Sequence, residues 1–225
     1  MDELESYGTE QNRKVYRRHG AEDNHFGVSF ANLYKLQKRL KVHQELAVQL
    51  WETGNTDAMT LATLIVGPKQ FDEATLEKWL MGLSYYMLVD LYARNIVAKS
   101  DHADVLMDKW IQTDEEWVAR AGWEIMAQKA MSADEIDDDY FIGVLDLIEF
   151  NIHQAKNRTR HSMNGALIAI GLRNDARHDA AVKSAEVIGK VEVDHGDTSC
   201  KTPEAIPYME KGWARKNKKR VSRKG

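Results

Sequence analysis

Apolar residues return at three- and four-residue intervals along almost the whole of this chain, and few residues interrupt them. Phe30, Leu33, Leu36 and Leu40 mark one stripe, and Leu46, Ala47, Leu50 and Trp51 mark the next. That period puts apolar side chains on one face of an α-helix, which must then be buried against a neighbour. With only 3 prolines and 14 glycines in 225 residues, such runs continue for several turns without a breaker. Capping and turn residues set the boundaries. Ser29 predicts the start of one helix, and "TGN" ends the one containing Trp51. A new helix starts near Asn55 or Thr56 and runs to Val66, where "GP" stops it, and Asp72 caps a short one through Leu80. The same reading predicts helices near 84–99, 101–111, 114–130, 134–152, 158–171 and 175–189. The only alternating stretch, "KVEVD" at 190–194, is too short to found a sheet.

An all-α chain of packed helices follows. One internal echo refines it. "LWETGNTDAMTLATLI" (50–65) and "KWIQTDEEWVARAGWEI" (109–125) each place a tryptophan at a helix end, a threonine-containing turn and an amphipathic helix. Two copies of one helix pair fit a curved solenoid, whose concave face is a natural binding surface. We expect a single repeat domain over 1–210 and a basic, disordered tail over 211–225.

The charge is unevenly spread. Eight lysines and arginines and no acid lie between Lys211 and Gly225, and setting them aside leaves 23 basic residues against 35 acidic ones, a body at −12. Further cations cluster at Arg13, Lys14, Arg17 and Arg18, at Lys35, Lys38, Arg39 and Lys41, and at Lys156, Arg158 and Arg160. Segregation of this kind suits a polyanion-binding face. The lone Cys200 excludes an intrachain disulfide and fits a reducing compartment. No apolar run approaches the roughly 20 residues of a membrane span, and the N-terminus carries no signal pattern. A cytoplasmic monomer without membrane association is expected.

Known catalytic layouts are poorly represented. His153 and His161 stand apart, and His195 and Cys200 have no second pair nearby, so no metal site is expected. "DEIDDDYFIG" lacks the alternation of a calcium loop and reads as a solvated helix start, and no glycine-rich phosphate loop occurs. No cofactor is implied. What stands out is Asp90, set in the apolar run "SYYMLVDLYARNIV" with Arg94 one turn later. A buried lone carboxylate costs several kcal/mol. Asp90 is therefore a structural acid, half of an ion pair, or a chemical centre. Arg120 raises the same question, lying three residues after Trp117 and three before Trp123 on one helical face.

At these residues the chain resembles the AlkD family of DNA alkylation-repair glycosylases, built from HEAT-like helical repeats. The likeness runs from about Asn12 to about Gly189 and is carried by "HFGVSF", "LWETGN", "YYMLVD" and "KWIQTDEEWVAR", the last two by their internal spacing. Beyond residue 189 the chain is similar to a divergent branch. The resemblance implies a right-handed superhelical solenoid of antiparallel helix pairs with a concave basic face. It implies excision of cationic alkylated bases, of the 3-methyladenine and 7-methylguanine type, from duplex DNA. Asp90 falls on the family's catalytic aspartate, and Tyr86 falls where a catalytic tryptophan is expected. Arg120 falls on its DNA-contacting arginine, and Tyr16 matches an aromatic lining the cleft. Trp123, Arg17, Arg18, Lys156, Arg158 and Arg160 complete the expected DNA contacts. A second active-site tryptophan would fall near Gly165, where the chain has none. These departures keep two alternatives in view: a non-catalytic relative that binds DNA structure, and a protein-interaction scaffold.

Overall fold

The computed structural model describes residues 1–132 and 136–222. Among them it is all helical, with one isolated bridge between Gly8 and Val28. The chain packs as two compact units, Met1–Lys109 with His195–Cys200, and Trp110–Asp194 with Lys201–Gly225.

The first unit is built on α1 (Asp2–Ser6), α2 (Glu10–Arg18), α3 (Phe30–Leu40), α4 (Gln44–Glu52), α5 (Thr56–Ile65), α6 (Glu73–Met81), α7 (Tyr86–Asn95) and most of α8 (Ala103–Trp110). The expected capping residues do their work. Ser29 accepts from the Asn32 amide, Asn55 from those of Asp57 and Ala58, and Asp72 from that of Thr75. Each satisfies an amide that the first helical turn leaves without a partner. The core of this unit is aromatic. Trp51 stacks on Trp79 with centroids 4.2 Å apart, Phe71 tilts against Trp79 at 4.7 Å, and Tyr92 lies 5.5 Å from Trp51. Such contacts add about 0.5–1.5 kcal/mol each beyond the area they bury. Tyr92 also donates its hydroxyl to the Leu76 carbonyl at 2.6 Å, and burial raises its ionisation above the ordinary phenol range.

A buried carboxylate closes the N-terminal part of this unit. Asp57, 2% exposed, accepts from the backbone amides of Phe26, Gly27 and Val28 at 2.7, 2.9 and 3.1 Å. Burial pushes its carboxyl up from the usual range, against the pull of those three amides and of His25. Gly27 is required here. Its φ is +81°, and a Cβ would sit 2.6 Å from the Thr9 carbonyl oxygen and 2.7 Å from the Arg13 nitrogen.

The second unit holds α9 (Glu116–Met131), α10 (Asp138–Asn151), α11 (Asn157–Gly171), α12 (Asp175–Ile188) and α13 (Ala205–Ser222). Helix α9 packs along α11, with Trp123, Ile125, Met126, Phe141 and Leu167 fully enclosed. Gly122 admits the preceding turn, since a Cβ there would lie 2.8 Å from the Ile111 nitrogen. Residues 190–194 form no strand and are pinned to α11 by hydrogen bonds instead. Asn157 donates to the Asp194 carbonyl and accepts from its amide, and Arg160 donates to the Glu192 carbonyl.

The C-terminus differs from the expected disordered tail, because the helix begun at Ala205 continues to Ser222. Met209 is fully buried, and Trp213, one turn on, donates its indole N–H to the Gly171 carbonyl at 2.8 Å. Two apolar anchors at helical spacing outweigh the polar composition that follows them. Arg223 and Lys224 lie outside the described residues.

Candidate functional site

Helix α7 carries the residues singled out in the first unit. Leu88, Val89, Tyr92 and Ala93 are buried, Tyr92 against Trp51, while Tyr86 and Asp90 are half-buried and Arg94 is exposed. The acid is thus spared full desolvation. Tyr86 and Asp90 stand four residues apart and share one face. The Tyr86 hydroxyl lies 2.7 Å from His19 Nδ1, and its ring meets that of Tyr85 edge-on at 5.6 Å. His19 caps the C-terminal end of α2, so that hydrogen bond ties α7 to the helix bearing Tyr16, Arg17 and Arg18.

The residues of α2 divide by what they touch. Tyr16 is half-buried and donates to the Val28 carbonyl at 2.8 Å, and its phenol is raised by burial. It braces the backbone rather than presenting its hydroxyl. Arg17 is exposed and paired with Asp23 at 2.8 Å. Arg18 and Lys14 are exposed, with no ion pair among the described residues. Cys200 also reaches this side of the first unit, with Sγ 4.0 Å from His19 Nδ1.

In the second unit the expected DNA contacts separate into braces and exposed groups. Arg120 is only 3% exposed, and its Nη1 donates to the Arg158 carbonyl at 3.0 Å, fixing the start of α11. Arg160 spends its guanidinium on the carbonyls of Glu192, Ala155 and His153. Arg158 is half-buried, with its amide donated to the Glu116 carboxylate at 2.6 Å. Lys156 is exposed at the start of α11. Trp123 is almost wholly buried and, with Lys156, is among the residues around a cleft of about 510 Å³. Gly165 stands on α11 with nothing within 4 Å of where a Cβ would be.

The structure therefore joins Tyr86 to Asp90, Arg120 to Arg158, and Trp123 to Lys156. Sequence reasoning missed Asp57 and His19. Asp57 follows the cap Asn55 by two residues and reads locally as an ordinary first-turn acid. His19 reads as a loop residue, since nothing near it announces a partner 67 positions away.

Comparison with known proteins bears on the family and the fold. The sequence profile of the family described as DNA alkylation repair enzyme matches residues 1–209. An uncharacterized protein of Listeria innocua, Lin0241, is 32% identical over 220 residues, covering 96% of both chains. Lmo0209 of Listeria monocytogenes, also uncharacterized, is 31% identical over 214 residues, covering 93% of both. One solved structure aligns with a TM-score of 0.87 and 31% identity, over 96% of this chain and 92% of its own. It is described as one of a new family of proteins related to the HEAT-like repeat DNA glycosylases with affinity for branched DNA structures. The all-α fold is thus of the HEAT-like kind, and the chain belongs to the DNA alkylation repair enzyme family.

Proposed function

We propose that this protein binds duplex DNA and hydrolytically excises cationic alkylated bases, with Asp90 as the catalytic carboxylate. The observation that carries this reading is the half-buried Tyr86–Asp90 face of α7, with Tyr86 fixed by His19. A base alkylated at N3 of adenine or N7 of guanine is already cationic and leaves readily. Cleavage of its glycosidic bond builds positive charge on the sugar, as in other glycoside hydrolyses. A carboxylate beside that charge stabilises it and orients the attacking water. The Tyr86 ring adds cation–π stabilisation of about 0.5–2 kcal/mol. On this reading Arg18, Lys14 and Lys156 contact phosphates, while Arg120 acts through the backbone of Arg158 that it holds.

The test is release of 3-methyladenine and 7-methylguanine from alkylated duplex by wild type and Asp90→Asn, with DNA affinity measured on the same samples. Release by wild type, with a loss of about 100-fold or more in the variant at unchanged affinity, is the expected outcome. Equal release by both proteins removes Asp90 from the chemistry. A second reading has its own support in the open position at Gly165 and in the branched-DNA affinity described for the solved relative. In it the protein recognises DNA structure without cleaving. Binding by both proteins with release by neither selects it.

A further inference from the structure

The cations of helix α13 play no part in the contacts assigned to Lys14, Arg18 and Lys156, and the two sides of this helix do different work. Met209, Gly212, Trp213 and Lys216 recur at helical spacing and form its docked side. Met209 is fully buried, and a Cβ on Gly212 would strike the Leu172 side chain. Trp213 donates to the Gly171 carbonyl and Lys216 to that of Leu172. Tyr208, Lys211 and Arg215 recur at the same spacing on the other side, and all three are exposed. Lys218 and Lys219 share that side by position, three and four residues after Arg215 in a helix that runs to Ser222. The last acid before this run is Glu210, and none stands three or four residues from any of these four cations. Lys211 and Arg215 have no ion pair among the described residues. Like charges at such spacings repel one another and weaken the helix that carries them.

A polyanion relieves that repulsion, and the rest of the helix narrows its kind. An amphipathic helix enters an anionic membrane by an apolar face. Here Met209 and Trp213 are committed to docking, and only Ala214 and Val221 follow as apolar residues. A single strand is held by aromatic faces on which its bases stack, and no aromatic residue lies beyond Trp213. We infer that the exposed side of α13 lies along the phosphate backbone of duplex DNA, with Lys211, Arg215, Lys218 and Lys219 as its contacts. The distance from Lys211 to Lys219 is about 12 Å at the helical rise per residue. That length matches roughly three or four phosphates of one strand. Contacts of this kind are made by charge-assisted hydrogen bonds and carry no sequence information. The inference rests on the DNA-binding half of the proposed function and is independent of catalysis at Asp90.

The experiment measures the affinity of the full chain for two fully paired duplexes of unrelated sequence between about 50 and 200 mM salt. Wild type is compared with a variant combining Lys211→Gln, Arg215→Gln and Lys218→Gln. Glutamine keeps the helix propensity and removes the charge. A control combining Lys69→Gln, Lys78→Gln and Lys183→Gln removes the same charge from exposed positions elsewhere. The α13 variant should lose about 2 to 3 from the salt slope, at about 0.9 for each phosphate contact. It should bind both duplexes at least about 10-fold more weakly at about 100 mM salt. The control should keep the wild-type slope. Independently of any variant, saturating duplex should slow amide hydrogen exchange across residues 211–222 of wild type, because phosphates relieve the repulsion along the helix. An unchanged slope, an equal loss in the control, or exchange untouched by duplex overturns the inference and leaves the DNA-binding reading standing. Duplex RNA bound more tightly than DNA of the same sequence, with the loss of slope confined to RNA, assigns the helix to RNA and overturns it as well. Failure of wild type to bind either duplex overturns both.

Discussion

Asp57 spends both carboxylate oxygens on the amides of Phe26, Gly27 and Val28, out of contact with solvent. Asp90 sits half-buried on α7. The first arrangement stores stability, and the second is the one on which the proposed function draws. Asp57→Ala would strand three buried amides, each worth about 1–3 kcal/mol when left without a partner. We expect that variant to lose about 3 kcal/mol or more, read from urea unfolding as a lower midpoint with an unchanged slope. A loss under about 1 kcal/mol would mean that water replaces the carboxylate there. Only one of these two aspartates was legible in the sequence. Asp90 interrupts an apolar run and so draws the eye, while Asp57 sits where acids commonly sit, in the first turn of a helix. Its three partners lie about 30 residues earlier, and no local pattern reports a contact at that range.

Helices were the most legible level of this protein, because each is specified within its own span. Ser29, Asn55 and Asp72 cap where their chemistry requires, and 114–130, 158–171 and 175–189 differ from the observed helices by a residue or two at an end. The C-terminal helix is the exception. Its composition is that of a solvated tail, and its stability comes from Met209 and Trp213 docking on distant residues. Helix α11 offers a clean experiment at this scale. Gly165 is half-buried in its middle, with open space beyond its Cα. Gly165→Ala should stabilise the protein by about 0.5–1 kcal/mol through helix propensity alone, a rise of a few degrees in melting temperature. A fall instead would show that the space is filled in solution. Gly165→Trp adds an aromatic where the family resemblance places one, and base release above the wild-type level is the expected gain.

Throughout the first unit, phenol hydroxyls are used as structural fasteners, Tyr16 on the Val28 carbonyl, Tyr85 on the Met87 sulfur and Tyr92 on the Leu76 carbonyl. Tyr85 and Tyr92 are raised well above the ordinary phenol range by burial, and Tyr16 is raised for the same leading reason. Each phenol holds its proton more tightly folded than unfolded. Their contribution to stability is therefore intact below about pH 10 and is lost as pH rises past the unfolded value. In an alkaline titration, Tyr16, Tyr85 and Tyr92 should ionise only together with loss of helical circular dichroism. Ionisation of all three before any loss of helix would contradict this.

The segment from 190 to 204 has a different kind of consequence. Its anchors on α11 include the side chains of Asn157, Arg160 and Asn164, which grip the backbone of Asp194, Glu192 and Pro203, and His161, which meets the Thr202 hydroxyl at 3.1 Å. Where the grip is on main-chain atoms, at Glu192, Asp194 and Pro203, it does not depend on the side chains of those residues, whereas it is lost by a change at Asn157, Arg160 or Asn164. What fixes the course of those three positions is thus written in α11 and not in the segment itself.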